Sequence, residues 1–341
     1  MVIKSINPFL GIALSSLLIQ PVSAESISVC MQQQLMISSD TVTVGELRAY
    51  CKQTTVVRQS NDSRQMDLDE DVQAEESAIT RRLRLEREGE NKLFSLQPHK
   101  PNYIVISNNM ASPNEKPFTE AFPNRDIHLQ PWETKFQISL KVPVARDLFA
   151  GNGDLFVAYT NRSFWQQFNK DSSSPFRDSN HEPEAWLSFK NDSEFWGFKN
   201  SIIRTGFVHQ SNGQAGSLSR SWNRVYADFI VEKGNFYFSF KPWLRIQEDF
   251  EDDDNPDIDD YLGNFEFSGL YKKGEQTFDF MIRDNLDFSD NHGTLQLGWS
   301  FPLSSNVKGY VQWFNGYGES LIDYNSHSNS IGVGIKLSDW L

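Results

Sequence analysis

Polar and apolar residues alternate with a period of two through most of the chain after residue 100. In residues 236–241, phenylalanines at 236, 238 and 240 alternate with Tyr237, Ser239 and Lys241. Successive side chains of a β-strand point to opposite faces, so each such segment would have one hydrocarbon face and one polar face. The pattern predicts twelve antiparallel strands. They are 102–108, 134–142, 154–166, 183–190, 201–211, 222–232, 236–247, 261–272, 276–284, 293–300, 307–316 and 330–338.

The lengths of these strands and of their connections favour a membrane barrel over a soluble β-sandwich. Each segment has about the length that a tilted membrane-spanning strand needs. Short turns such as 233–235 and 272–275 alternate with longer loops such as 212–221 and 248–260, and outer-membrane barrels have this asymmetry. The chain also contains 26 Phe, 10 Tyr and 9 Trp. We therefore predict an all-β fold, a 12-stranded antiparallel transmembrane β-barrel over residues 100–341.

The residues before the barrel predict a signal peptide and a polar extension. Lys4 precedes an apolar run over 12–19, and small residues follow it, so residues 1–24 have the features of a cleaved secretory signal. Residues 25–99 are polar and include a charged stretch, 78–90, that could form a helix. We predict that 25–99 is a periplasmic N-terminal extension, and we assign it no chemistry.

Charge and cysteine content narrow the possible chemistry. The formal net charge is −13, with acidic residues concentrated in 62–76 and 249–260, and no basic stripe is interleaved with aromatic residues. A nucleic-acid partner is therefore not expected. In an exported chain, Cys30 and Cys51 favour a local disulfide over a metal site or a catalytic thiol.

Residues His209 and Ser211 lie two apart on a predicted strand, so they share one face. That face is the apolar one. If the next strand returns with 209 opposite 223, Asn223 would lie beside His209, which would assemble a nucleophile, a base and an orienting group. Gly213 could offer its N–H to an oxyanion. The alternative is a polar rim at the membrane interface. No Gly-x-Ser-x-Gly motif occurs in the chain, which excludes the α/β-hydrolase route.

The acidic loop 249–260 has two interpretations. It is not an EF-hand, because the stretch from Asp252 onward has no glycine at the sixth position of the calcium loop and contains Pro256. It can be a solvated loop. Alternatively, Asp254, Ser219 and the carbonyl near Gln214 lie on adjacent predicted loops and could share a hard cation such as Ca²⁺, which prefers oxygen ligands.

Several separate motifs in the same order resemble the outer-membrane phospholipase A family of Gram-negative bacteria. The similarity covers roughly residues 100–341, and it is more specific than a lone His-x-Ser. The motifs are Ser173-Ser174-Pro175-Phe176-Arg177, His209-Gln210-Ser211-Asn212-Gly213, Ser219-Arg220-Ser221-Trp222-Asn223-Arg224, Lys241-Pro242-Trp243, Asp254-Asn255-Pro256-Asp257 and the run from Tyr317 to Asn325.

The resemblance implies an activity and the residues that carry it. The expected activity is calcium-dependent hydrolysis of the sn-1 and sn-2 acyl esters of phospholipids in the outer membrane, with the active site at the extracellular rim. Ser211 would be the lipid-facing nucleophile, His209 the general base and Asn223 the group that orients the imidazole. Gly213 would supply the oxyanion N–H.

The resemblance also implies a calcium-bound homodimer as the active form. Calcium would be held by the Gln214 carbonyl and Ser219 of one subunit and by Ser173 of the other. Asp254 matches a further calcium-binding aspartate of the family. Gly216 stands where some members have an aspartate that helps to bind calcium, which puts the affinity in question.

The resemblance leaves open the strength of the dimer and two alternative functions, one enzymatic and one not. Asn161 replaces a glutamine that makes contacts between barrels in the best-known members, so the dimer interface can differ.

A barrel lipopolysaccharide deacylase also uses Ser and His at the rim. The non-enzymatic rival is a small porin or adhesin, which would need an open lumen. The residues expected to point inward and close the lumen are Arg204, Arg224, Asp228, Lys241, Arg245 and Glu266.

Overall fold

The structure, a computed structural model, describes residues 30–32, 43–53, 77–90, 96–249, 251, 253–304 and 306–338. The chain divides into two compact units, Met1–Glu76 and Ser77–Leu341. In the first unit, the described residues are helical at 30–32 and 44–53. A disulfide joins Cys30 to Cys51, whose Cα atoms are 5.8 Å apart. The predicted signal peptide, 1–24, lies outside the described residues.

Twelve antiparallel strands, β2–β13, close into a barrel in the second unit, as the alternation predicted. Each strand pairs with the next along the chain, and β13 pairs with β2 to complete the closure. A two-residue strand, β1 (Gln97–Pro98), adds to β3. The barrel strands are β2 (Asn102–Asn109), β3 (Trp132–Ala145), β4 (Asp154–Trp165), β5 (Phe176–Phe195), β6 (Phe198–Ser211), β7 (Ser221–Lys233), β8 (Phe236–Ile246), β9 (Phe265–Lys273), β10 (Gln276–Asp284), β11 (Gly293–Pro302), β12 (Lys308–Gly316) and β13 (Ser328–Ser338).

Three helices of the second unit lie outside the strands. They are α1 (Ala78–Glu90), α2 (Lys116–Ala121) and α3 (Ile258–Leu262). None of the helices among the described residues is long and apolar enough to cross a membrane. The connections at one end of the barrel are short, such as the turn at 234–235, and those at the other end are longer, such as 212–220. We call these the short-turn end and the long-loop end.

The two faces of the barrel differ in polarity as the sequence predicted. Side chains on the outer face are apolar and exposed; Phe236, Phe240 and Leu244 on β8 are examples, as expected of a wall surrounded by lipid. Lumen-facing side chains pair their charges. The pairs include Arg204 with Asp228 at 3.7 Å, Lys241 with Glu184 at 3.1 Å, Arg245 with Asp253 at 2.7 Å and Lys135 with Glu319 at 3.0 Å.

Aromatic and aliphatic side chains fill the lumen towards the long-loop end. They form one buried cluster that includes Trp186, Trp222, Trp243, Leu321 and Tyr324. Below it lies a cavity of about 180 Å³ lined mainly by polar and charged residues. A porin instead carries a water-filled channel through its lumen. The packing of this lumen is therefore that of a closed barrel.

One predicted strand, 261–272, began too early. Ile258 and Leu262 are buried in α3, and the strand begins only at Phe265. The apolar residues at the start of the predicted segment serve the packing of a short helix rather than the barrel wall. A short apolar run has this ambiguity between helix and strand.

Another predicted strand, 183–190, is only the middle of β5, which spans twenty residues. The polar residues before 183 also belong to this strand, because their inward-facing side chains form hydrogen bonds with the loop that fills the lumen. Asp178 accepts a hydrogen bond from the Ile322 N–H at 3.0 Å, and Asn180 accepts one from the Leu321 N–H at 3.1 Å. No apolar alternation marks such a segment.

Helix α1 packs against the inner face of the barrel at the short-turn end. Ile79 is 1% exposed and lies in a cluster with Ile202, Ile230, Tyr237 and Leu270. Glu86 pairs with Lys141 at 2.8 Å. The compact unit therefore begins at Ser77, whereas the sequence placed the whole of 25–99 in a separate extension. The periplasmic location of that extension stays a prediction.

The contact of α1 with the barrel should contribute measurably to stability. We expect Ile79→Ala to lower the free energy of unfolding by about 2 to 5 kcal/mol, because it removes a buried side chain and leaves a cavity. Leu85→Ala on the same helix is the matched control, since Leu85 is 50% exposed, and it should cost under about 0.5 kcal/mol. Urea titration of the refolded protein in detergent measures both. Equal losses in the two variants would contradict the packing of α1 into the barrel.

Candidate active site

His209 and Asn223 face each other across the β6–β7 hairpin. The register pairs His209 with Asn223 and Ser211 with Ser221, as the sequence predicted. The His209 Nδ1 atom is 2.9 Å from the Asn223 Oδ1 atom. An amide oxygen only accepts hydrogen bonds, so Nδ1 carries the proton and Nε2 has the free lone pair of a base. Ser211 lies two residues further on the same face of β6.

The three side chains lie on the outer face of the barrel. The residues that flank them on this face, Phe207 and Val225, are 42% and 41% exposed. His209, Ser211 and Asn223 themselves are half-buried. A substrate can therefore reach them sideways from the lipid phase, without entering a cavity.

The opposite face of the same two strands is fixed inside the barrel. Gln210 accepts hydrogen bonds from the Trp222 indole N–H at 2.9 Å and from Arg224 at 3.1 Å. The Arg224 guanidinium stacks 3.8 Å from the Trp222 ring. Because the residues between the outward-facing groups are held this tightly, the outward-facing side chains have a rigid base.

Glu248 is a member of this group that the sequence did not reveal. The Asn223 Nδ2 atom donates to the Glu248 Oε1 atom at 2.9 Å. This bond fixes which end of the Asn223 amide faces His209, because the nitrogen is already committed to Glu248. Asn223 pairs with Ile246, so Glu248, two residues beyond it, continues the same face past the end of β8. That register could have identified Glu248, had the strand end been known.

The segment after Ser211 is a compact turn built on Asn212. This side chain is 3% exposed; it donates to the Leu218 carbonyl at 2.9 Å and accepts from the Arg220 N–H at 3.0 Å. Gly213 follows with φ of +63°, a conformation that favours glycine. In the described part of the chain, the Gly213 N–H donates to no protein acceptor. It is free for a substrate oxygen.

The predicted calcium ligands are only partly brought together. Ser219 Oγ donates to Asp254 Oδ2 at 2.6 Å, and Gln214 lies just before the 3-10 turn Gly216–Leu218 on the same loop. Ser173 lies on the β4–β5 loop, and among the described residues it makes no hydrogen bond to the other three. Nor do those residues include a group of three or more His, Cys, Asp or Glu arranged to hold a metal.

The donors present nevertheless fit calcium in kind. Ser219, Asp254 and the Gln214 carbonyl offer oxygen atoms only, which a hard cation prefers. Asp254 is exposed, and no atom lies within 4 Å of the position that a Cβ at Gly216 would take. The loop therefore has room for an ion and its water ligands.

The acidic loop is anchored to the barrel beside these donors. Asn255 is fully buried and accepts from the Ser221 N–H at 2.9 Å. Tyr324 donates its O–H to Asp257. Burial is the largest cause of a raised pKa for the Tyr324 phenol, and the hydrogen bond to Asp257 is the second. The phenol therefore remains a donor at neutral pH. These anchors hold Asp254 close to Ser219.

Several known proteins are similar to this chain over most of its length. The family model described as phospholipase A1 matches residues 79–337. The phospholipase A1 of Salmonella typhimurium is 37% identical over 246 residues, which cover 72% of this chain and 82% of the relative. The solved outer membrane phospholipase A of Escherichia coli has a TM-score of 0.67 and 35% identity over 73% of this chain and 100% of that one. A Salmonella typhi outer membrane phospholipase, solved as a dimer with bound calcium, has a TM-score of 0.68 and 35% identity over 74% and 95%.

Proposed function

The chain belongs to the phospholipase A1 family, whose members are outer-membrane β-barrels that hydrolyse phospholipids, and on that premise we propose a serine mechanism with calcium dependence. Ser211 is the nucleophile, His209 the general base and Asn223 its orienting group. The 2.9 Å contact between His209 Nδ1 and Asn223 Oδ1 carries this proposal. It leaves Nε2 of His209 as the basic nitrogen, and Ser211 lies on the same face of β6.

Two half-reactions follow from this placement. In the first, Ser211 Oγ attacks the ester carbonyl carbon while His209 Nε2 takes the hydroxyl proton, and the same proton then passes to the departing glycerol oxygen. In the second, His209 takes a proton from water while the water oxygen attacks the carbonyl carbon of the acyl-serine. The bond from that carbon to Ser211 Oγ then breaks, His209 returns the proton to Ser211 Oγ, and the fatty acid leaves. The Gly213 N–H donates to the oxyanion in both steps.

Asn223 acts by holding the imidazole rather than by charge. Its amide keeps the proton of His209 on Nδ1, and Glu248 in turn holds the amide. A neutral amide cannot stabilise the imidazolium as a carboxylate does. Glu248, which accepts a hydrogen bond from Asn223, brings a negative charge to the far side of that amide. Through Asn223 this charge favours the positively charged imidazolium of His209.

We propose that Ser219, Asp254 and the Gln214 carbonyl hold calcium, with Ser173 of the partner subunit completing the set in a homodimer. Bound there, calcium would act as a Lewis acid that favours negative charge on the substrate oxygen. The structure of the Salmonella typhi relative, a dimer with bound calcium, supports the proposal. One carboxylate per subunit is a weak set for this ion, because calcium affinity rises with the number of charged ligands.

Gly216 offers a direct test of the calcium proposal. An excess of chelator should silence the wild-type enzyme, and Gly216→Asp should lower the calcium concentration for half-maximal activity by about tenfold, because it adds a charged oxygen ligand. Gly234→Asp is the matched control. Gly234 has the same left-handed backbone and open surroundings but lies at the short-turn end.

Fatty-acid release from phospholipid by the refolded protein in detergent gives the calcium titration curves. Activity that persists in excess chelator would exclude calcium dependence. An unchanged midpoint in Gly216→Asp, or an equal change in Gly234→Asp, would exclude the loop 212–220 as the site.

A further inference from the structure

A second imidazole, that of His181, lies beside Ser211 on the outer face of the barrel. His181 on β5 is the direct cross-strand partner of Ser211, so their Cβ atoms are about 5 Å apart on one face. The His181 ring also lies against the open side of Gly213. Its Nε2 and Cδ2 atoms are 3.7 Å and 3.6 Å from the position that a Cβ at residue 213 would take.

The neighbours of the His181 ring determine which nitrogen carries the proton. The Tyr159 hydroxyl is 2.6 Å from Nδ1, and the Asn161 Nδ2 atom is 3.4 Å from it. Asn161 Oδ1 accepts from the Ser163 hydroxyl at 2.9 Å, and in this arrangement the amide nitrogen of Asn161 faces His181. An amide nitrogen only donates, so Nδ1 accepts and the proton of the neutral ring is on Nε2.

His181 and His209 therefore hold opposite tautomers on either side of Ser211. The Asn223 amide oxygen leaves Nε2 of His209 as an acceptor, whereas Tyr159 and Asn161 leave Nε2 of His181 as a donor. One ring is prepared to take a proton, and the other to donate a hydrogen bond.

A structural role alone does not account for this placement. Within the described part of the chain, Nε2 of His181 has no hydrogen-bond partner, although it lies on the apolar outer face, where the protein offers few polar partners. An aromatic ring without nitrogen could make the same stacking contact with Tyr159. The free N–H is explained if it has a substrate atom to bind.

We propose that His181 is a second catalytic imidazole, which donates its Nε2–H to the ester carbonyl oxygen as that oxygen becomes the tetrahedral oxyanion. The inference rests on the proposed role of Ser211, since the oxyanion forms only when Ser211 attacks. The proton stays on Nε2 throughout, so no atom is transferred. His181 and the Gly213 N–H then approach the oxyanion from two sides.

The test compares His181→Phe, which removes the donor, with His181→Gln, which restores an N–H. We expect His181→Phe to lower kcat about 100-fold at saturating calcium while KM changes less than about threefold, as for loss of one oxyanion donor. His181→Gln should recover at least about tenfold of that loss. His128→Phe is the matched control, because His128 is 75% exposed on another loop, and it should leave kcat unchanged.

Two inhibitors separate oxyanion stabilisation from substrate binding. A phospholipid analogue with a trifluoromethyl ketone in place of the ester forms a tetrahedral adduct with the nucleophile, and its affinity for His181→Phe should fall by the same factor as kcat/KM. A non-hydrolysable ether phospholipid should bind the wild type and the variant equally. Equal weakening of both inhibitors would overturn the proposal, because His181 would then be a contact of the ground state.

Further outcomes keep this inference distinct from the proposed function. If Ser211→Ala is inactive and His181→Phe has normal kcat, the His181 proposal is wrong and the triad stands. If Ser211→Ala stays active, the triad itself is wrong. Should His181→Phe fail to fold, Tyr159→Phe decides, since it removes the hydroxyl that is bonded to Nδ1 of His181 and helps to hold the ring. It should lower kcat about three- to tenfold without changing ether-lipid affinity, and an unchanged kcat would overturn the proposal.

Discussion

The Ser211→Ala variant is expected to keep a folded barrel and to lose at least about 10⁴-fold of its phospholipid hydrolysis, because it removes the only atom that attacks the ester. The fold should tolerate the change. Ser211 is half-buried at the end of β6 on the outer face, where one hydroxyl contributes little packing. The barrel is held elsewhere, by the strand ladders and by the ion pairs of its lumen.

Ser221→Ala is the matched control for this experiment. Ser221 is the cross-strand partner of Ser211 and lies on the same face, but no step of the mechanism uses its hydroxyl. It should keep nearly full activity. Fatty-acid release measures the rate, and heat-modifiable gel migration reports the fold. Substantial hydrolysis by a folded Ser211→Ala protein would show that another residue is the nucleophile.

The sequence predicted the hairpin of the site because a strand has a strict period of two. Once His209 and Ser211 were assigned to the apolar face, a register with 209 opposite 223 brought Asn223 beside His209 on that face, and the structure has that register. A slip by one residue would turn every lipid-facing side chain into the lumen. The requirement that polar side chains face the lumen and apolar side chains face lipid therefore specifies both the fold and this part of the site.

Residues that depend on three-dimensional packing could not be predicted in this way. Glu248 lies beyond the last residue of β8, in a loop where no alternation indicates its direction. Helix α1 was recognised only as a charged stretch, because its few apolar residues are scattered among charged ones. Ile79 becomes buried through contacts with strands more than a hundred residues away. Such partners become identifiable only when the barrel closes.

His181 illustrates the same limit at the site itself. In the sequence it stands among polar residues that give no strand pattern, and it precedes Ser211 by thirty residues. Only the pairing of β5 with β6 brings the two side chains together. The contacts of Tyr159 and Asn161 with Nδ1 of His181 depend on a third strand, β4.

A mixture of two inactive proteins should regain activity if the calcium site is shared between subunits. One parent is Ser211→Ala, and the other is Ser173→Phe, whose bulky ring would block the calcium contact. In a heterodimer, the subunit that carries Ser173→Phe keeps Ser211 and receives an intact Ser173 from its partner. Random pairing of equal amounts makes about half of the dimers heterodimers, each with one complete site. The mixture should therefore reach about a quarter of the wild-type rate.

Mixing Ser211→Ala with His209→Ala provides the control for this result. Both substitutions damage the triad of their own subunit, so no pairing of these two chains restores a complete site, and the mixture should stay inactive. Crosslinking measures the heterodimers in both mixtures. If Ser173→Phe is itself active, or if its mixture stays silent although heterodimers have formed, then Ser173 does not serve the neighbouring subunit. The calcium ligands would then all have to come from one chain, in which Ser219 and Asp254 are already in contact.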